Sequence, residues 1–296
     1  MGFRFGWFST GRDETARQLL EVVVRQISKG FIPGEVGYVF CNRMRGEAVE
    51  SDQFIEWVES LGIPLILLSS NDFEPSLRQK NRETWRIRYH QEVEKQVRDC
   101  PVDLVVLAGY MLIVSEPFCR ALPIINLHPA APKGPQGTWQ EVIWSLIQDR
   151  AARTGVMMHL VTKELDQGPP ITFVTFPIRG GDFDRGWLDL DVTLRCKSLR
   201  QLVDEEGENN LLFREIRRQG VRRELPLIVM TLKAFAEKRI RVVERRLLDD
   251  EGRAVEGVCL DDEVESYIQS VAGACPASPA LCLSAVGRRR ELHMRR

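Results

Sequence analysis

Apolar positions along the chain fall into two alternating rhythms. Short apolar runs at 3–9, 34–41, 64–68, 103–108 and 121–127 have the length and flanking turns of buried strands. Between them, residues 14–28 carry apolar side chains at 16, 19, 20, 23, 24 and 27, the spacing of one helix face. Residues 51–61, 82–97 and 137–149 read as further helices. Strand and helix in alternation predict βαβ units, hence an α/β fold: a Rossmann-like, mostly parallel sheet with helices on both faces. Residues 155–162 and 170–177 read as two more strands, antiparallel to each other. Past 180 the rhythm changes. The acidic stretch 204–210 reads as a loop, and 210–239 as a helix interrupted at Pro226. Residues 241–248 and 257–260 read as a hairpin around the turn 249–252. The expected organisation is a first unit at 1–182, a C-terminal helix and hairpin extension at 183–271 packed on it, and a mobile tail at 272–296.

Composition narrows the class of function. Lys and Arg total 41 against 42 Asp and Glu, a net charge of −1, so no global basic field points to nucleic acid. The 7 cysteines include no Cys-x-x-Cys pair, which speaks against a zinc or redox motif and suits a reducing cytoplasm. No apolar run reaches the roughly 20 residues of a membrane span. Small-molecule substrates, no nucleic acid, no membrane and no metal are therefore expected.

The chemistry concentrates in Asn126-Leu127-His128-Pro129 and, further on, Glu164-Leu165-Asp166-Gln167-Gly168-Pro169. Asn126 and His128 stand two apart on a strand and share one face. They fall at a strand's C-terminal end, the edge where open α/β sheets hold ligands. Asp166 lies in a turn-forming segment that can return over that edge. An amide, an imidazole and a carboxylate suit acyl transfer: donors for an oxyanion, and a group to move protons. A carboxylate beside His128 favours the imidazolium and is expected to raise the imidazole pKa.

These motifs resemble the folate-dependent formyltransferases, nearest to the branch that formylates phosphoribosylglycinamide in purine synthesis. Residues 105–111, 39–42 and 154–162 follow the same family order, with similarity over about 5–182 and weakly over 216–243. The resemblance implies a catalytic domain at 1–182. It implies 10-formyltetrahydrofolate as formyl donor and a primary amine, glycinamide ribonucleotide, as acceptor. Asn126, His128 and Asp166 become the catalytic residues, with His159 in a supporting position. Met111, Leu112, Ile113 and Val114, with Val161, Thr162 and Leu165, would line the pterin pocket. Thr10, Gly11, Arg12, Asp13, Arg86 and Gly109 would face the acceptor, the turn at 10–13 holding its phosphate. A second phosphate contact could come from Arg218 and Arg222.

Departures from the pattern fall on the acceptor side. The turn at 10–13 lacks the family's glycine-rich sequence and carries Asp13. The family continues Ser-Leu-Leu-Pro after His-Pro, whereas this chain reads Ala130-Ala131-Pro132-Lys133-Gly134. Rival readings are another amine acceptor such as an amino sugar or methionyl-tRNA, a formyltetrahydrofolate hydrolase, and a non-catalytic folate-binding protein. The hydrolases carry a regulatory domain ahead of the catalytic one, while here the catalytic unit is expected to open at Phe3.

Overall fold

A computed structural model describes residues 2–273. The strands are β1 (Phe3–Ser9), β2 (Gly34–Cys41), β3 (Leu65–Leu67), β4 (Leu104–Leu107), β5 (Ile124–His128), β6 (Arg153–Leu160), β7 (Pro170–Pro177), β8 (Ile240–Val243), β9 (Arg246–Asp249) and β10 (Val258–Cys259). The helices are α1 (Glu14–Ser28), α2 (Val49–Ser60), α3 (Pro75–Lys80), α4 (Arg82–Val97), α5 (Glu116–Ala121), α6 (Trp139–Gln148), α7 (Asp182–Thr193), α8 (Leu199–Glu206), α9 (Leu211–Ala236) and α10 (Asp261–Gly273).

Eight strands form one sheet in the order β10-β7-β6-β5-β4-β1-β2-β3. Pairing is parallel from β5 through β4, β1 and β2 to β3, and again between β7 and β10. β6 is antiparallel to both neighbours. Side chains alternate between the two faces, as strand geometry requires. Phe5 and Trp7 of β1, with Val39 and Cys41 of β2, join the apolar cluster built with α1, α2, α6 and α9. Phe8, Tyr38 and Phe40 join the other, with Trp85 and Tyr89 of α4 and Phe118 of α5. Both faces are therefore covered, which explains near-continuous apolar strands. The order of strand addition reverses between the parallel neighbours β1 and β4, so their C-terminal loops flank a crevice. The loops are joined there: Thr10 N–H donates to the Gly109 carbonyl (3.1 Å), and Met111 N–H to the Thr10 hydroxyl (3.0 Å).

The expected core elements are present, and the differences lie mostly beyond 180. Strand five begins at Ile124 rather than 121, because 116–121 is helical with a proline in its first turn. The segment 204–210 is not a loop. Its first residues close α8, which opens with a capping box between Ser198 and Gln201, and a 3-10 turn follows. Acidic residues at the end of α8 gave it the composition of a linker. Helix α9 runs unbroken through Pro226. Pro226 leaves the Arg222 carbonyl without its helical donor. The loss is offset by burial, since Leu227, Val229 and Leu232 have no exposed surface.

The hairpin also pairs differently. β8 pairs with β9 through a turn at Glu244 and Arg245, whose φ angles of 47° and 63° are those of a tight hairpin turn. That turn normally carries Asn or Gly, so the sequence concealed it. Residues 258–259 instead extend the main sheet beside β7. From residue 274 onward, the tail expected at 272–296 lies outside the described residues; its first two residues belong to α10.

Apolar side chains from both sides of residue 182 share one cluster. Phe213 of α9, 1% exposed, sits against Trp139 and Trp144 of α6 with ring centroids 5.7 and 5.2 Å away. Truncating a buried aromatic of this kind costs about 3–5 kcal/mol. We predict that Phe213→Ala lowers global stability by that amount in a single cooperative urea transition. A transition that splits, leaving residues 1–182 at wild-type stability, would contradict a shared core.

Candidate active site

Asn126 and His128 both lie on β5, and the antiparallel pairing to β6 sets what faces them. Asn126 stands opposite His159 and His128 opposite Met157. After β6 the chain turns through 161–169 and returns as β7. That turn is tied down by the Leu160 N–H to the Pro169 carbonyl (2.9 Å) and the Val161 N–H to the Ile124 carbonyl (2.7 Å). Gly168 lets it close. A Cβ there would lie 1.6 Å from the Leu160 carbonyl oxygen, so no side chain fits. Asp166 occupies a left-handed conformation (φ 56°), which Asp and Asn tolerate better than most residues.

The carboxylate of Asp166 then sits between two imidazoles. Its Oδ2 is 3.8 Å from His128 Nδ1, and its Oδ1 is 3.7 Å from His159 Nε2. The two rings meet edge to face, 6.2 Å apart. The Asn126 amide lies 3.3 Å from His159 Nε2, and His159 Nδ1 lies 3.3 Å from the Leu160 carbonyl. Asn126 Nδ2 donates to His159 Nε2 only while that nitrogen carries no proton; a proton on Nε2 faces the Asp166 carboxylate instead. The amide has a second N–H left to offer a ligand. His128 donates Nε2–H to the Pro135 carbonyl (3.1 Å), which leaves Nδ1 as the basic nitrogen facing Asp166.

Burial decides the electrostatics. The His128 imidazole is pushed below its ordinary value because desolvation outweighs the Pro135 carbonyl and the Asp166 carboxylate, both of which favour the cation. The expectation that Asp166 would raise it is corrected: the carboxylate acts, and burial wins. Asp166 is held below the usual carboxylate value, first by the His159 imidazole beside it and then by His128, against desolvation.

A small cleft, with about 80 Å³ of space open to solvent, lies over this cluster. Asn126, His159 and Asp166 line its base, while His128 lies behind them, 2% exposed. One wall contains Leu112, Ile113 and Val114, the other Val161, Thr162 and Leu165. Met111, half exposed, is not part of that lining. Leu107, Tyr110 and Glu164 complete it and were missed. The period-two pattern could have found Leu107, which ends a strand at the sheet edge. The Tyr110 hydroxyl reaches the buried His90 ring at 3.3 Å, a contact between loop and helix that no local motif signals.

The residues expected at the acceptor are less unified. Thr10 is buried, bonded to Asn42 (2.7 Å) and to Met111 N–H, and Gly109 accepts from its backbone. Gly11 takes φ 61° against the Phe54 ring, where a Cβ would clash. Asp13 caps α1, accepting from Ala16 N–H at 3.0 Å, and pairs with Arg12 at 3.2 Å. A carboxylate therefore already satisfies the helix end expected to hold phosphate. Arg86 pairs with Glu83 on α4 (2.7 Å) and is not among the cleft residues. Arg218 pairs with Glu215 and Asp182. Among the described residues no group of His, Cys, Asp and Glu is gathered as metal ligands, and no helix is long and apolar enough to cross a membrane.

The buried imidazole and the closed turn each have a measurable consequence. His128 has a folded pKa below its unfolded value near 6.5, so the unfolded chain takes up the proton first as pH falls. The His128 contribution to stability is intact above pH 6.5 and is lost as pH drops from there towards the folded pKa. Urea midpoints measured over that window should fall less steeply in His128→Asn than in wild type; equal slopes would refute the assignment. Gly168→Ala should displace the Asp166 turn, costing about 1–3 kcal/mol and at least about 100-fold in turnover. Unchanged stability would show that the turn accommodates a side chain.

The sequence profile described as Formyl transferase matches residues 18–184, more than half of the chain. Phosphoribosylglycinamide formyltransferase of Saccharomyces cerevisiae is 32% identical over 104 residues, covering 33% of this chain and 49% of the relative. The chain thus spans about half the length of that curated relative. Among solved structures, glycinamide ribonucleotide transformylase 1 of Symbiobacterium toebii superposes with a TM-score of 0.56 at 21% identity, over 83% of this chain and 93% of that one. A formyltetrahydrofolate deformylase from Pseudomonas syringae pv. tomato gives 0.55 at 20% identity, over 84% and 66%. Identities this low establish the fold, which the two structures share with this protein. With the profile match spanning β2 to β7 and the entire Asn126–His128–Asp166 cluster, the chain belongs to the formyl transferase family.

Proposed function

We propose that the protein transfers a formyl group from 10-formyltetrahydrofolate to a primary amine, and that the amine is glycinamide ribonucleotide. The observation that carries this reading is the carboxylate of Asp166 held between His128 and His159 at the base of a cleft with apolar walls. The pterin lies between the 110–114 and 161–165 walls, and the formyl carbon on N10 rests near Asn126. The amine nitrogen attacks that carbon, and the formyl oxygen becomes an oxyanion. Asn126 donates its free N–H to it. His128 assists from behind, with Nδ1 protonated or with Nε2 released from Pro135. Asp166 draws the proton from the attacking amine through a water or His128. The bond to N10 then breaks, N10 takes the proton, and the products are a formamide and tetrahydrofolate. Each oxyanion donor in such a site is worth about 100- to 1,000-fold in rate.

A second acceptor reading rests on Asp13. Its carboxylate fills the start of α1, and the 130–137 loop lies against His128. An amine that places no phosphate at the 10–13 turn would suit this geometry. Hydrolysis, with water as acceptor, shares the fold and is distinguished by its product.

His128→Ala and Asp166→Asn should each lower formyl transfer by at least about 100-fold. Folate binding, followed by fluorescence titration, should change little. Asn keeps the left-handed backbone at 166, so the second variant isolates the charge. Near-normal turnover in either variant would remove the mechanism.

A further inference from the structure

The turn of the β8–β9 hairpin delivers a guanidinium to two backbone carbonyls beside the cleft. Arg245 Nη1 donates to the Cys119 carbonyl, and Nη2 donates to the Val161 carbonyl at 2.9 Å. The two acceptors belong to different segments. Cys119 lies in the last turn of α5, where carbonyls have no helical donor and a cation is favoured by the helix dipole. α5 directly follows the 110–114 wall. Val161 starts the other wall, and its N–H is already fixed to Ile124 of β5.

We propose that Arg245 is a positioning residue that sets the spacing between the two walls of the cleft. A planar fork is suited to this: two donors on one rigid group bind two carbonyls at a fixed separation, which a lysine ammonium on a flexible stem cannot reproduce. The hairpin that carries it is anchored independently. Ile240 and Leu247, 3% and 5% exposed, belong to the main apolar cluster. Removing the guanidinium therefore frees the walls without undocking the hairpin. Only the identity of the cleft's ligand, the folate donor, rests on the function proposed above.

The test uses the full-length chain with Arg245→Met and Arg245→Lys, read by hydrogen exchange in the free protein and by donor kinetics. In Arg245→Met, amides at 110–115 and 162–166 should exchange about 10-fold faster, the loss expected for a charge-assisted hydrogen bond, while those of β8 and β9 stay protected. The KM for 10-formyltetrahydrofolate should rise about 10-fold with the KM for the amine unchanged. Arg245→Lys should not restore either value. Unchanged exchange in both walls would overturn the proposal. Equal loss of protection in the hairpin would also overturn it, by showing that Arg245 merely docks that element. If wild type binds no folate, the ligand reading fails, and the exchange data still decide the clamp.

Discussion

The antiparallel pairing of β5 with β6 is the constraint on which the site depends. It sets Asn126 across from His159, leaves His128 on the same face, and sends the chain into the turn that returns Asp166. A slip of one residue would turn His159 away and separate the carboxylate from both imidazoles. Apolar clusters on the two sides of the sheet take up Ile125 and Ile124 of β5, so its register is strongly specified. Gly168 then removes the one steric obstacle to closing the turn over Leu160. Electrostatics follow from this placement. A carboxylate confined between two buried rings stays ionised, while His128, deprived of water, stays neutral.

How much of this was legible depended on whether the signal was local. Strand β1 could be read to the residue from its apolar run, and helices α1 and α4 start directly after their side-chain caps, Asp13 and Asn81. Asn126, His128 and Asp166 were legible as motifs, and the structure brings them together. The role of burial was not, since the depth of His128 follows from the packing of the 130–137 loop and β6 over it. Helix α8 hid behind an acidic composition although its capping box was present. The Glu244–Arg245 turn hid because neither residue announces a positive φ. No motif marks Arg245 in the sequence, and only the fold aims it at Val161.

The two halves of the site differ in how well they match the expected pattern. The side proposed for the folate donor has its mostly apolar walls and the Asn126, His159 and Asp166 cluster in one cleft. On the acceptor side, Asp13 occupies the helix end, Arg12 is bound to Asp13, and Arg86 is bound to Glu83. The loop after His128 reaches the imidazole through the Pro135 carbonyl, a contact that must break if Nε2 is to donate to an oxyanion. The chemistry is therefore better specified than the partner that receives the formyl group.

Formyl transfer itself is decided by following a labelled carbon. The full-length protein is incubated with 10-formyltetrahydrofolate carrying a ¹³C formyl group and with glycinamide ribonucleotide, and the products are read by NMR. The label should appear as an N-formyl amide on the nucleotide, with tetrahydrofolate released in equal amount. Label recovered only as free formate, or a donor that stays intact with every amine offered, would contradict the proposed transfer.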